Sequence, residues 1–224
     1  WQQLHHVMRG LSEDDTLRCI IIRGEGAAFA AGGDLEEFRT ARATVDLAMS
    51  YHEAVGAALA AIAQCPVPTL AAILGPCIGG GLEIACACDL RIAARNAQLG
   101  APIMRLGFSM YPGELEGLLA LAGPAVTKEI LLEGKLFTAN EAYAKGLVSR
   151  VVEDDAVFDE ATFSVSAFFL GVKDENAVFN ACGCPRKIIF FARKRYSIIA
   201  ADRHGEFKYA GDFDAIKIDR RDCF

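Results

Sequence analysis

A strand-like run, a glycine-rich loop and a helix start follow one another twice in this chain, over 17–38 and again over 68–88. The first unit runs from "LRCIIIR" (17–23) through "GEGAAFAAGGD" into the acidic helix start "LEEF". The second runs from "PTLAAIL" (68–74) through "GPCIGGG" into the helix that carries Glu83. Both strand runs are almost continuously apolar, as suits strands covered on both faces. Strands alternating with helices imply parallel pairing and an α/β fold. Around these units, apolar residues at positions 1, 4, 7, 8 and 11 predict a first helix from Trp1 to about Glu13. A second long helix is predicted over 45–64, with short strands over 89–94 and near Leu99. From Glu114 the pattern turns helical, over 114–122, 125–133 and 139–145, with a short strand at 147–152. From about Asp154 onward the chain reads as several helices with little strand signal.

No charged residue occurs between Ala54 and Leu82, a stretch long enough to raise the question of a membrane span. Pro66, Pro68, Gly75, Pro76 and the run Gly79–Gly81 cut it into short pieces. A buried helix, a buried strand and a glycine turn account for it better, and a soluble protein is expected. The chain is 53% hydrophobic, so its 224 residues can bury a sizeable core. Its net charge of −6, without a basic stripe, argues against a nucleic-acid partner. The eight cysteines sit mostly in apolar runs and lack zinc-site spacing, which predicts reduced thiols, no metal, and a cytoplasmic or organelle-matrix location. The chain opens at Trp1 inside a helical pattern, which reads as the continuation of a longer N-terminal part.

Each glycine loop precedes a helix, where unpaired amides and the helix dipole can hold a developing negative charge. The candidate donors lie around Gly32-Gly33 and Gly79-Gly80; tight turning alone would also explain either loop. "GPCIGGG" lacks the Lys-Ser/Thr of a phosphate loop, and its glycines are wrongly spaced for a dinucleotide site. Glu83 follows Gly80 by three residues, which puts donor and acid on one helix face, about one turn apart. That pairing suits proton transfer beside a carbonyl with an enolate-like intermediate. Helix capping, or pairing with Arg91 or Arg105, remains the other reading of Glu83. His5, His6, His52 and His204 have no Ser, Cys or Asp neighbour at a motif spacing and read as structural or exposed.

Three segments carry a resemblance: "RCIIIRGEGAAFAAGGDLEEF" (18–38), "PVPTLAAILGPCIGGGLEIACACDLRIAARNAQLGAP" (66–102) and "GPAVTKEILLEGKLFTANEAYAKGLVSRVV" (123–152). Together they resemble the enoyl-CoA hydratase/isomerase family, the crotonase superfamily. "CGCPRKIIFFARKR" (182–195) resembles the family's late helix, and the family's opening strands have no counterpart here. The resemblance implies a crotonase-like β-α spiral core over 1–152. It also implies a helical C-terminal section over 153–224 that mediates trimer contacts and covers the pocket. The implied substrate is an acyl-CoA thioester, with no permanently bound cofactor, no metal and no membrane span. Its carbonyl would lie between the amides of Gly33 and Gly80, with Ala31, Asp34, Leu35, Glu36 and Tyr111 along the coenzyme A and substrate.

Glu83 matches the first glutamate of the hydratases, whereas the second, directly after Pro102, is replaced by Ile103. Isoleucine can neither position water nor move a proton. Glu114 is the remaining candidate acid, as a catalytic group or as a helix cap; Glu116 is the weaker one. Tyr111 would serve as a donor or as packing. Double-bond isomerisation or other single-acid chemistry is therefore expected over efficient hydration. A non-catalytic acyl-CoA binder and an acyl-CoA decarboxylase are the alternatives.

Overall fold

In the computed structural model both strand–loop–helix units form, and their strands lie side by side. The structure describes residues 1–15, 17–24, 26–107, 110–170, 195–201 and 207–214, with 165–170 and the last two stretches described through their backbone alone. Helix α1 (Gln2–Ser12) leads to β1 (Ile20–Arg23), α2 (Leu35–Ala41) and α3 (Val45–Ala63). The second unit supplies β2 (Thr69–Ile73), β3 (Pro76–Ile78) and α4 (Gly80–Ala87). Then come β4 (Leu90–Ala94), β5 (Gln98–Gly100), a 3-10 turn (Ile103–Leu106), α5 (Pro112–Glu133) and β6 (Phe137–Thr138). They are followed by α6 (Ala139–Ala144), β7 (Arg150–Val152), α7 (Val157–Leu170), β8 (Arg195–Ala201) and β9 (Phe207–Asp214).

The main sheet has the order β1-β2-β4-β7 and is parallel throughout. Side chains alternate across it. Ile20, Ile22, Ala71, Ile73 and Ala93 join the larger core with Leu4, Met8, Val55, Leu59 and Ile62 from α1 and α3. Ile21, Leu70, Ala72, Ile92 and Ala94 face the other way, onto Val157 and Ala161 of α7. Two-sided burial explains why these strands show no polar alternation; every residue of β2 is buried.

A second, smaller sheet has the order β3-β5-β6. Its strand β3 falls inside "GPCIGGG", where the glycines predict a loop; Pro76, Cys77 and Ile78 pair with Gln98, Leu99 and Gly100. With three residues or fewer per strand, these elements are set by tertiary pairing rather than by pattern. The two helices expected over 114–133 appear as α5, broken at Gly123 (φ 71°, ψ 171°) just before Pro124.

One segment departs from expectation. Beyond α7, 195–201 and 207–214 pair as an antiparallel hairpin where helices were expected, with Arg195 opposite Asp214 and Ala201 opposite Phe207. "RYSII" and "FKY" are rich in β-branched and aromatic residues, which favour strand. The late-helix resemblance at 182–195 lies almost wholly outside the described residues, as do Cys182, Cys184 and Cys223. Among the described residues no helix is long and apolar enough to cross a membrane. Cys19, Cys65, Cys77, Cys86 and Cys88 are thiols, not disulfides.

Candidate active site

The two glycine loops meet back to back. Backbone bonds clamp the first loop onto β3: the amides of Phe29 and Ala30 donate to the Pro76 carbonyl at 3.0 Å, and the Ile78 amide donates to Ala30 O at 2.8 Å. Gly32 has φ +102°, a conformation other residues rarely adopt, and its Cα faces Ile78 O, Gly79 and the Gly80 amide. Gly81 lies so close to Ala30 that a Cβ there would collide with the Ala30 carbonyl. The segments around Gly33 and Gly80 are therefore held beside one another by main-chain contacts.

Gly80 is the first residue of α4, after the N-cap Gly79, whose own amide donates to Gly100 O at 2.9 Å. Among the described residues neither the Gly33 nor the Gly80 amide has a hydrogen-bond partner. Both glycines border aromatic rings. A Cβ on Gly33 would meet the Phe38 ring at 2.6 Å, and one on Gly80 would meet the Trp1 ring at 2.8 Å. Phe38 and Tyr51 make an edge contact at 5.5 Å, Trp1 Nε1 donates to the Tyr51 hydroxyl at 3.0 Å, and the Arg42 guanidinium lies 3.9 Å over the Phe38 ring.

Glu83 sits one turn into α4, on the face that Gly80 begins, and is only partly accessible. Among the described residues its carboxyl has no hydrogen bond or ion pair. Arg91 is occupied instead with the end of α4, donating to the carbonyls of Ala85, Cys88 and Asp89. Burial pushes the Glu83 carboxyl up to about 8, the Glu114 charge adds to the rise, and Arg42 opposes it.

Glu114 is buried at the start of α5, and both its oxygens are engaged. Oε2 accepts the Tyr111 amide at 3.2 Å, and Oε1 is hydrogen-bonded to His52 Nδ1. The His52 ring stacks on Tyr111, centroids 3.4 Å apart and planes 20° from parallel. His52 was missed by sequence reading because its partner lies 62 residues away. The available signal was its place on the buried stripe of α3 with Val55, Leu59 and Ile62, where an unpaired histidine would be costly.

The Gly33 loop thus adjoins Gly80, Gly80 and Glu83 share the first turn of α4, the Tyr111 amide binds Glu114, and the Glu114 charge acts on Glu83. Ala31 is half-buried beside them. The other candidates lie on the outside of α2. Asp34 caps that helix, accepting from the amides of Glu36 at 2.9 Å and Glu37 at 3.4 Å; Leu35 is exposed, and Glu36 pairs with Arg39 at 3.4 Å. Glu116 is exposed, and Ile103 is half-buried at the start of the 3-10 turn. Among the described residues no group of three or more His, Cys, Asp or Glu could hold a metal ion.

The family model described as enoyl-CoA hydratase/isomerase matches residues 1–173. Among curated relatives, "Probable enoyl-CoA hydratase echA8" of Mycobacterium tuberculosis is 37% identical over 151 residues, which cover 67% of this chain and 57% of that protein. The mitochondrial methylglutaconyl-CoA hydratase of Rattus norvegicus is 36% identical over 161 residues, 71% of this chain and 50% of that one. The chain therefore spans about half the length of these relatives. A solved enoyl-CoA hydratase/carnithine racemase from Magnetospirillum magneticum superposes with a TM-score of 0.73 at 39% identity, covering 81% of this chain and 76% of that one.

Proposed function

The chain belongs to the enoyl-CoA hydratase/isomerase family, and from that premise we propose that it processes an acyl-CoA thioester by single-acid proton transfer. The thioester oxygen is held by the Gly33 and Gly80 amides, and Glu83 is the group that moves the proton. In the ionised form Glu83 takes a proton from the carbon next to the carbonyl. The released electron pair moves onto the thioester oxygen, giving an enolate that the two amides stabilise. Return of the proton two carbons further along the conjugated system shifts the double bond and regenerates the carboxylate.

One observation carries this reading: a carboxyl without a partner stands one helical turn from an unpaired amide, in a site walled by Trp1, Phe38 and Tyr51. A carboxyl near 8 is poised to give and take a proton around neutral pH. Hydration would need a second group to activate water. Ile103 has no such chemistry, and Glu114 already spends both oxygens on His52 and the Tyr111 amide. This favours a double-bond shift over hydration. A trimer with acyl-CoA as its small-molecule partner belongs to the same reading, and light scattering of the purified protein tests the assembly.

The test of the activity is a panel of 2-enoyl and 3-enoyl thioesters of increasing chain length, assayed with the wild type and Glu83→Gln. Interconversion of the two enoyl forms, lost in Glu83→Gln while thioester binding persists, is the expected outcome. Binding without turnover of any thioester by the wild type would overturn the enzymatic reading in favour of a binder.

A further inference from the structure

Resting on that reading, one buried cluster still lacks a role: His52 on α3 with Glu114 and Tyr111 at the start of α5. Helices α4 and α5 pack together, and the Glu114 charge acts on Glu83 across that contact; the surroundings of each carboxyl decide which one exchanges a proton. Here the environments differ sharply. Glu114 accepts the Tyr111 amide at 3.2 Å and is hydrogen-bonded to His52 Nδ1, and it occupies the first turn of α5, where the helix dipole favours an anion. Glu83 has neither donor nor ion-pair partner among the described residues.

We propose that His52 is a positioning residue: its Nδ1–H donates to Glu114 and fixes that carboxyl in place near Glu83, so that proton exchange falls to Glu83 alone. Tyr111 holds the imidazole plane by stacking, and Tyr51 meets its edge, with centroids 5.8 Å apart. The other groups acting on this cluster are few. Arg42, beside the Phe38 and Tyr51 rings, opposes the Glu114 charge at Glu83, and the Cys86 thiol on α4 senses Glu83. Burial pushes the Tyr51 hydroxyl up and out of the working range. The rise of Glu83 toward 8, to which Glu114 contributes, agrees with this division of labour.

The experiment is a pH titration of the Glu83 carboxyl by carbon-13 NMR in the ligand-free chain, with the signal assigned by its loss in Glu83→Gln. It reads no turnover, so it stands or falls separately from the activity assay. Glu114→Gln and His52→Leu should each lower the Glu83 midpoint by about one pH unit. His52→Asn, which keeps an N–H near the Nδ1 position, should leave the midpoint in place. A midpoint unmoved in Glu114→Gln overturns the proposal, and so does one that falls as far in His52→Asn as in His52→Leu. Should His52→Leu not fold, the near-isosteric Glu114→Gln and His52→Asn decide alone.

Discussion

Replacing Glu83 with glutamine should remove a pH dependence of stability that the wild type carries. A glutamate in the unfolded chain titrates near 4.5, whereas burial raises Glu83 to about 8 in the folded protein. Between those values the native state holds a proton that the unfolded chain has already released. Stability contributed by this group is therefore greatest at low pH and declines as pH rises through about 8, the reverse of a salt-bridged carboxylate. Between pH 6 and pH 8 the loss integrates to about 2 kcal/mol, and above about pH 9 it levels off. The glutamine amide fills the same space without titrating. Urea unfolding of both proteins at pH 6, 7 and 8 gives the difference directly, because every other titrating group is common to the two. Their stabilities should diverge by about 2 kcal/mol over this range, in favour of the variant at the alkaline end. Parallel curves, agreeing within about 0.5 kcal/mol, would refute the argument that Glu83 is buried without a partner.

Two further substitutions probe the frame and the missing acid. Gly81→Ala puts a Cβ into the Ala30 carbonyl, a backbone atom that cannot swing aside. It should cost about 2 kcal/mol in urea unfolding and lower turnover by displacing the Gly33 and Gly80 amides; unchanged stability would contradict the close packing of the loops. Ile103→Glu restores a carboxyl directly after Pro102, and hydration of a short 2-enoyl thioester should rise about tenfold or more. No rise would show that a missing water-activating group is not what limits hydration.

Much of this arrangement is local and was therefore legible in the sequence. Gly80 and Glu83 share one helix turn, so their common face follows from spacing alone. The strands β1 and β2 announced themselves as apolar runs because both their faces are buried. The break in α5 at Gly123 was visible as two helical patterns separated by "GP". Legibility ended where distant pieces decide. Strand β3 exists because β5 pairs with it, and nothing in "PCI" alone asks for a strand. His52 reads from sequence as structural or exposed, since its meaning depends on Glu114, 62 residues further on. The engagement of both Glu114 oxygens was equally hidden: a glutamate near a helix start reads as a cap, and only the fold shows that it is also buried against α3. The hairpin of β8 and β9 shows apolar content outweighing β-propensity in a sequence reading where the backbone chose strand.

Hydrogen exchange in deuterium oxide shows whether Glu83 carries the proton to and from a thioester enolate. A saturated acyl-CoA cannot shift a double bond, but its α-hydrogens should exchange with solvent on the wild type, followed by proton NMR. Glu83→Gln should slow this exchange about 100-fold or more while acyl-CoA binding is retained. Exchange at the wild-type rate in Glu83→Gln would contradict it and move the proton-transfer role to another group.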